Sequence, residues 1–365
     1  MAKTETVPYG PVLNDMDLFE VVVTIRRLGL AAVLALTMLM VSCGSGNPDD
    51  SAAVEDDPEA LVVYNAQHES MTTVWAEAFS AETGIKVALR HGSDFELANQ
   101  IKQEGERSPA DVFLTENSPA MAVVEQAGLF APVDRATLAQ VPKKYSTSTG
   151  AWVGIAARST VFVYNTKLGA DDLPKSLVEL AEPKWQGRYG VSPGGADFQA
   201  VVSAMLELKG EEATQRWLDS LKANAKTYQG NNAILQGVNA GEIDGGVSYH
   251  YYWYRDQAKT KENSNNTKLL FFGNQDPGAF VSVSGGGVLK TAKHAEEAQQ
   301  FLKFITGRKG QQALSDSAEF EYSVGSKVPA NPALKPLSEL EPPTVNPSRL
   351  NGPKVVEMMT SAGLI

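Results

Sequence analysis

The stretch DVFLTENSPAMAVVEQAGLF (Asp111–Phe130) changes its hydrophobic period part-way along. Asp111 to Thr115 is a short apolar run of strand type, whereas Ser118 to Phe130 repeats its apolar residues at helical spacing. Pro119 falls in the first helical turn, where its missing N–H removes no hydrogen bond. A strand passing so directly into a helix is half of a βα unit. The same alternation extends outward. LVVY (61–64) precedes a segment in which Met71, Val74, Trp75 and Phe79 recur at helical spacing. KVALR (86–90) precedes DFELANQIKQEG, a helix stopped by Gly105. TVFVYN (160–165), RYGVS (188–192) and GGVSY (245–249) also read as strands, with AFVSVSGGGVLK (279–290) as a further apolar stretch. Helices are expected near 198–208 and 211–225, and the last clear one near 293–306. This alternation predicts an α/β architecture with mainly parallel sheets.

The chain has 365 residues, 43% of them apolar, which is enough for two ordinary soluble domains. Its formal charge of −11 argues against a nucleic-acid-binding surface. No repeat period and no coiled-coil heptads are present. Near the N-terminus, Arg26 and Arg27 precede the apolar run LGLAAVLALTMLMV (28–41). At about 14 residues it fits the hydrophobic region of a signal peptide and is too short to span a membrane. It leads to Cys43, the only cysteine in the chain. The segment resembles a bacterial lipobox, so residues 1–43 are read as a signal peptide with Cys43 as the lipidated mature N-terminus. Residues 44–60 are acidic and lack Lys and Arg, and are read as a flexible tether. The mature protein is expected to contain no disulfide.

Export, tether and length together suggest two α/β lobes around a cleft. In such sheets ligands bind outside the carboxyl ends of the strands. Four of these ends carry chemistry. His68 follows strand 61–64, Glu116 follows strand 111–115, a Gly-rich turn from Ser192 to Phe198 follows strand 188–192, and SYHYYWYRD (248–256) follows strand 245–249. Taken singly, each has an ordinary reading as a loop histidine, a helix-start glutamate, a turn or a surface aromatic. Together, an imidazole, a carboxylate and the two adjacent phenols Tyr251 and Tyr252 make a hard, mostly oxygen donor set. Zinc-type His/Cys spacing and the alternating acids of a calcium loop are both missing. A phenol, with pKa near 10, gives up its proton readily only to a highly charged Lewis acid, and ferric iron is the common biological one. Two neighbouring tyrosines point to opposite faces of a strand and diverge by about 100° on a helix. They converge only where the chain turns from one into the other.

At these residues the chain resembles the periplasmic ferric-binding proteins of ABC iron importers. The resemblance is carried by YNAQHES (64–70), DVFLTENSPA (111–120), NNAILQGVNAGEIDGGVSYHYYWY (231–254) and DPGAFVSVSGGGVLK (276–290), and covers roughly 60 to 335. It implies a two-lobed periplasmic-binding-protein fold of type II. Each lobe is then a mixed, mainly parallel sheet flanked by helices, with residues 61–158 and 282–332 in the N-terminal lobe and 159–281 and 333–365 in the C-terminal lobe. It implies Fe3+ held by His68, Glu116, Tyr251 and Tyr252, completed by a synergistic anion, phosphate or carbonate. Asn117 and Asn231 match positions around that anion, and Ser192, Gly194, Gly195 and Ala196 are its candidate loop before a helix N-terminus, although the family's loop reads Ser-Gly-Ala followed by an apolar residue. Asp197 departs from the pattern, because a carboxylate there repels a nearby anion unless it faces away. Tyr249 and His250 also depart, and are candidates for an extra ligand or for a hydrogen bond behind the ligands. The implied role is a monomeric, lipid-anchored carrier outside the bacterial membrane that delivers iron to an ABC permease. The alternative is a protein of the same fold binding an organic solute such as a polyamine, thiamine or a phosphonate, with the aromatics as a stacking box. An enzyme is not expected, since no G-x-S-x-G elbow occurs and the sole cysteine belongs to the processing site.

Overall fold

A computed structural model describes residues 57–365. The expected signal peptide, Cys43 and the tether up to residue 56 lie outside the described residues. The last residues of that tether are held in place: Ala60 donates to the Asp57 carbonyl and is buried, and Asp57 pairs with Lys86.

The strands are β1 (Leu61–Asn65), β2 (Val87–His91), β3 (Val112–Leu114), β4 (Val153–Asn165), β5 (Tyr189–Val191), β6 (Ala225–Thr227), β7 (Gly245–Tyr249), β8 (Thr267–Leu270) and β9 (Val281–Val288). The helices of two turns or more are α1 (Glu69–Thr83), α2 (Asp94–Glu104), α3 (Ser118–Gln126), α4 (Ala196–Lys209), α5 (Glu211–Asn224), α6 (Asn231–Ala240), α7 (His250–Ala258), α8 (Ala295–Thr306), α9 (Arg308–Asp316) and α10 (Gly352–Ser361). The sheet runs β2-β1-β3-β9-β4-β7-β5-β6, with β8 also paired to β4. Among the described residues no helix is long and apolar enough to cross a membrane.

Parallel pairing occupies the two ends of this order. β1 lies parallel to β2 and β3, and β5 lies parallel to β6 and β7. The middle is antiparallel, because β4 carries the chain out of the first half and β9 brings it back. β4 is a buried strand of 13 residues that changes partner along its length. Its first part pairs with β9 as far as Ser159, and from Thr160 it pairs with β7. It also feeds two separate cores. Val153, Ile155, Ala156 and Ala157 pack with Trp75, Phe79 and Phe301, whereas Phe162 packs with Trp185, Phe198 and Trp217. Leu334 and Leu340 also lie in the first core, and Val355, Met358 and Met359 in the second.

The glycine run of β9 has a steric origin. A Cβ on Gly285 would meet the Met121 side chain at 2.4 Å, and one on Gly287 would meet the Phe130 ring at 2.5 Å. The flanking segment of α3 therefore sits closer to β9 than any other residue permits. That contact fixes β3 and the start of α3 against β9, and with them the loop that carries Glu116.

Candidate metal centre

All four chemical stretches lie where a strand hands over to a helix. β1 leads through Gln67 and His68 into α1, and β3 through Glu116 and Asn117 into α3. β5 leads through the Ser192–Gly195 turn into α4, and β7 leads directly into α7. Tyr251 and Tyr252 thus occupy the first turn of a helix immediately after a strand. Their rings stack with centroids 4.2 Å apart, and both hydroxyls donate to the same oxygen, Asp197 Oδ2, at 3.1 Å each.

Asp197 is the centre of the arrangement. Its Oδ2 also accepts from Asn231 Nδ2 at 2.8 Å, and its Oδ1 from Asn117 Nδ2 at 3.1 Å. Asn117 is braced in turn by Ser282, whose hydroxyl donates to Asn117 Oδ1 at 2.7 Å. Beside this group His68 Nδ1 lies 3.0 Å from Glu116 Oε1, and the His68 and Tyr251 rings meet edge-on at 5.1 Å. His68 Nε2 faces the other way, 3.0 Å from Glu321 Oε1. That oxygen also accepts from Arg158 Nη2 at 2.7 Å, and both Glu321 and Arg158 are buried. Gln67 joins them, its Oε1 accepting from Arg158 and its Nε2 donating to Ser284.

The electrostatics follow from burial and crowding. Burial, reinforced by the charge of Asp197, raises the Tyr251 phenol well above its usual value, so it stays a proton donor in the absence of a metal. Burial and the nearby Glu116 lift Asp197 to about 6. Burial opposes a charge on His68, but its bonds to Glu116 and Glu321 outweigh that and raise it to about 10. Burial would likewise raise Glu321, yet the Arg158 guanidinium and His68 hold it down near 2. Among the described residues no three His, Cys, Asp or Glu side chains are grouped to hold a metal by themselves.

The residues expected near an anion separate into two groups. Asn117 and Asn231 do converge, but their partner is Asp197, which faces into the site instead of away from it. The reason is tertiary: Asp197 is in the first turn of α4, and donors from α6, α7 and the Glu116 loop surround it. Gly194 and Gly195 line a different cavity of about 420 Å³ with Ser192, Tyr228 and Gly230. Ser192 Oγ there accepts from the Gly230 amide, and Ala196 begins α4. Tyr249 is buried with its hydroxyl unpartnered, and stacks loosely on Tyr251 at 6.3 Å. His250 accepts the Ser159 amide proton on Nδ1 and lies flat against Tyr322. Burial lowers it to about 3, so it packs as a neutral ring. Glu321 and Arg158 escape a local reading of the sequence, although an arginine within the apolar run of β4 demands a buried counter-charge somewhere.

A mixed sheet flanked by helices, with polar side chains gathered where strands pass into helices, defines an α/β solute-binding protein. The chain belongs to the bacterial extracellular solute-binding protein family, whose model matches residues 107–346. It is 56% identical over 342 residues to the Fe(3+)-binding periplasmic protein of Serratia marcescens, covering 93% of this chain and 99% of that one. It is 39% identical over 289 residues to the major ferric iron-binding protein of Neisseria meningitidis serogroup B, covering 78% and 87%. The structure superposes on iron-bound HitA from Pseudomonas aeruginosa with a TM-score of 0.78 at 43% identity, covering 84% of this chain and all of the other.

Proposed function

We propose that this protein is the extracytoplasmic ferric-ion carrier of an ABC-type iron importer. The observation that carries the reading is the convergence of the Tyr251 and Tyr252 hydroxyls on one carboxylate oxygen beside the His68–Glu116 pair. His68, Glu116, Tyr251 and Tyr252 are the ligands in this reading, and Asp197 joins them as a fifth donor. Asp197 takes the hydrogen bonds of Asn117 and Asn231, the two asparagines expected to hold a free anion. The carboxylate thus supplies what phosphate or carbonate would otherwise bring. Fe3+ is the cargo: it replaces the phenolic protons, and its charge offsets the acids crowded around it.

In this reading the lobes are 61–158 with 282–332, and 159–281 with 333–365, joined through β4 and β9, with Leu334 and Leu340 of the last segment packing back into the first core. Iron bridging His68 and Glu116 to the tyrosines and Asp197 would favour the closed form by its differential affinity. The membrane partner is the permease, and lipidation at Cys43 keeps the monomeric carrier beside it. An organic solute fits less well, because Tyr251 and Tyr252 stack on each other and leave no slot between them for a planar ligand. The test is colour: full-length protein given ferric citrate should develop the visible charge-transfer band of iron–tyrosinate. A protein that stays colourless and retains no iron after desalting refutes the reading.

A further inference from the structure

Asp94 is the first residue of α2 and is buried. A residue there is ordinarily exposed, and it favours the helix through the dipole. The start of α2 is already served by its neighbours, since Glu96 Oε2 accepts from both the backbone N–H and the hydroxyl of Ser93. The Asp94 carboxylate instead turns inward. Its Oδ1 accepts the Glu116 amide at 2.9 Å and its Oδ2 accepts the Asn117 amide at 3.0 Å. Asp94 follows β2, and Glu116 follows β3, while β1 lies between those two strands. One carboxylate therefore ties two strand ends together across the end of the strand that delivers His68.

The two residues it holds by the backbone are the two whose side chains matter in this loop. Glu116 Oε1 meets His68, and Asn117 Nδ2 reaches Asp197. Two hydrogen bonds from consecutive amides to one carboxylate fix the peptide plane between them, and so the direction of both side chains. The opposite side of the loop is held too: the Glu116 carbonyl accepts from Ser284, and the Thr115 amide donates to Gly285. A buried acid is an expensive way to satisfy two N–H groups, and a neutral acceptor would serve a purely structural need.

We infer that Asp94 is a positioning residue of the metal centre, acting through the backbone of Glu116 and Asn117 to aim their side chains. The inference rests on the ferric reading above. The experiment uses the full chain and ferric citrate competition, comparing Asp94→Asn in two backgrounds. In the otherwise native protein the substitution should lower ferric affinity by roughly ten- to a hundredfold, as loss of a residue that orients metal ligands does. In a Glu116→Ala, Asn117→Ala background, where nothing is left to aim, the further loss should be under about threefold. Equal losses in both backgrounds, or none in the first, overturn the inference. Asp94→Ser, which is too short to reach both amides, replaces the asparagine variant should that one fail to fold. Hydrogen exchange of the iron-free protein supplies an independent arm. The Glu116 and Asn117 amides should exchange slowly in the native chain and at least about tenfold faster in the Asp94 variant. Fast exchange in the native chain overturns the inference whether or not iron binds. Slow exchange in a protein that takes up no iron leaves this hydrogen-bonded brace standing and removes the ferric reading instead.

Discussion

Replacing Asp197 by asparagine should make the iron-free protein more stable near neutral pH, while depriving it of most of its iron affinity. Asp197 is buried, and its pKa rises from 3.8 to about 6 through burial and the charge of Glu116. Between those values the folded protein binds more protons at this site than the unfolded chain does. Stability therefore falls as pH rises through that window, and above it the ionised carboxylate costs about 3 kcal/mol. The asparagine can be accommodated. Its oxygen takes the Oδ2 place before Asn231 and the two phenols. Its amide then faces Asn117, which turns over to accept while Ser282 reverses its hydroxyl. Urea unfolding of the metal-free chains from pH 4 to 8 should show the variant ahead by about 2–3 kcal/mol at pH 7.5 and level with the native chain near pH 4. With ferric ion present the order should reverse, because the stabilisation by a bound ligand follows its affinity. A metal-free variant that is less stable than the native chain at every pH refutes the argument. Asp197 would then be the keystone of the closed site, contributing stability at all pH values.

Tyr252→Phe should abolish one phenolate and weaken ferric binding by more than about a hundredfold, with little change in unfolding midpoint; equilibrium competition and the visible spectrum test both halves. Ferric binding should release about two to three protons near pH 7, from the two phenols and from His68, which Glu116 and Glu321 hold charged up to about 10. Iron affinity should accordingly drop as pH falls, most steeply below about 6 where Asp197 also takes a proton, and a pH-independent affinity would contradict the ligand set. Arg158→Met should destabilise the protein by up to about 3 kcal/mol, because it leaves the buried Glu321 with only His68 and Gln67 as partners. Adding Glu321→Met should restore much of that loss, and denaturant unfolding of both variants decides.

Much of the fold is legible from periodicity because most strands here are buried and most helices amphipathic. The handover from β3 to α3 can be read directly from DVFLTENSPAMAVVEQ, and so can the positions of His68 and Glu116 at strand ends. What escapes is long-range. Glu321 meets Arg158 across 163 residues, and nothing around it distinguishes it from Glu319. Asp94 has the sequence context of a helix-start acid, and its reach to Glu116 is set by the order of the strands. Asp197 was visible as a departure, but its direction depends on how α4, α6 and α7 surround it. The expected helices also leave out α6, α9 and α10; the last one expected ends near 306, where α8 ends.

A carboxylate built into the chain also alters what the carrier depends on. A free anion must be recruited from the surroundings, and any affinity that relies on it rises and falls with the local supply. In the reading proposed above, Asp197 is present at one copy per molecule in every medium, and before the cargo arrives it already occupies Asn117 and Asn231, the two donors that would otherwise need a solute. If Asp197 fills that role, iron affinity should be the same in phosphate-rich and phosphate-poor medium.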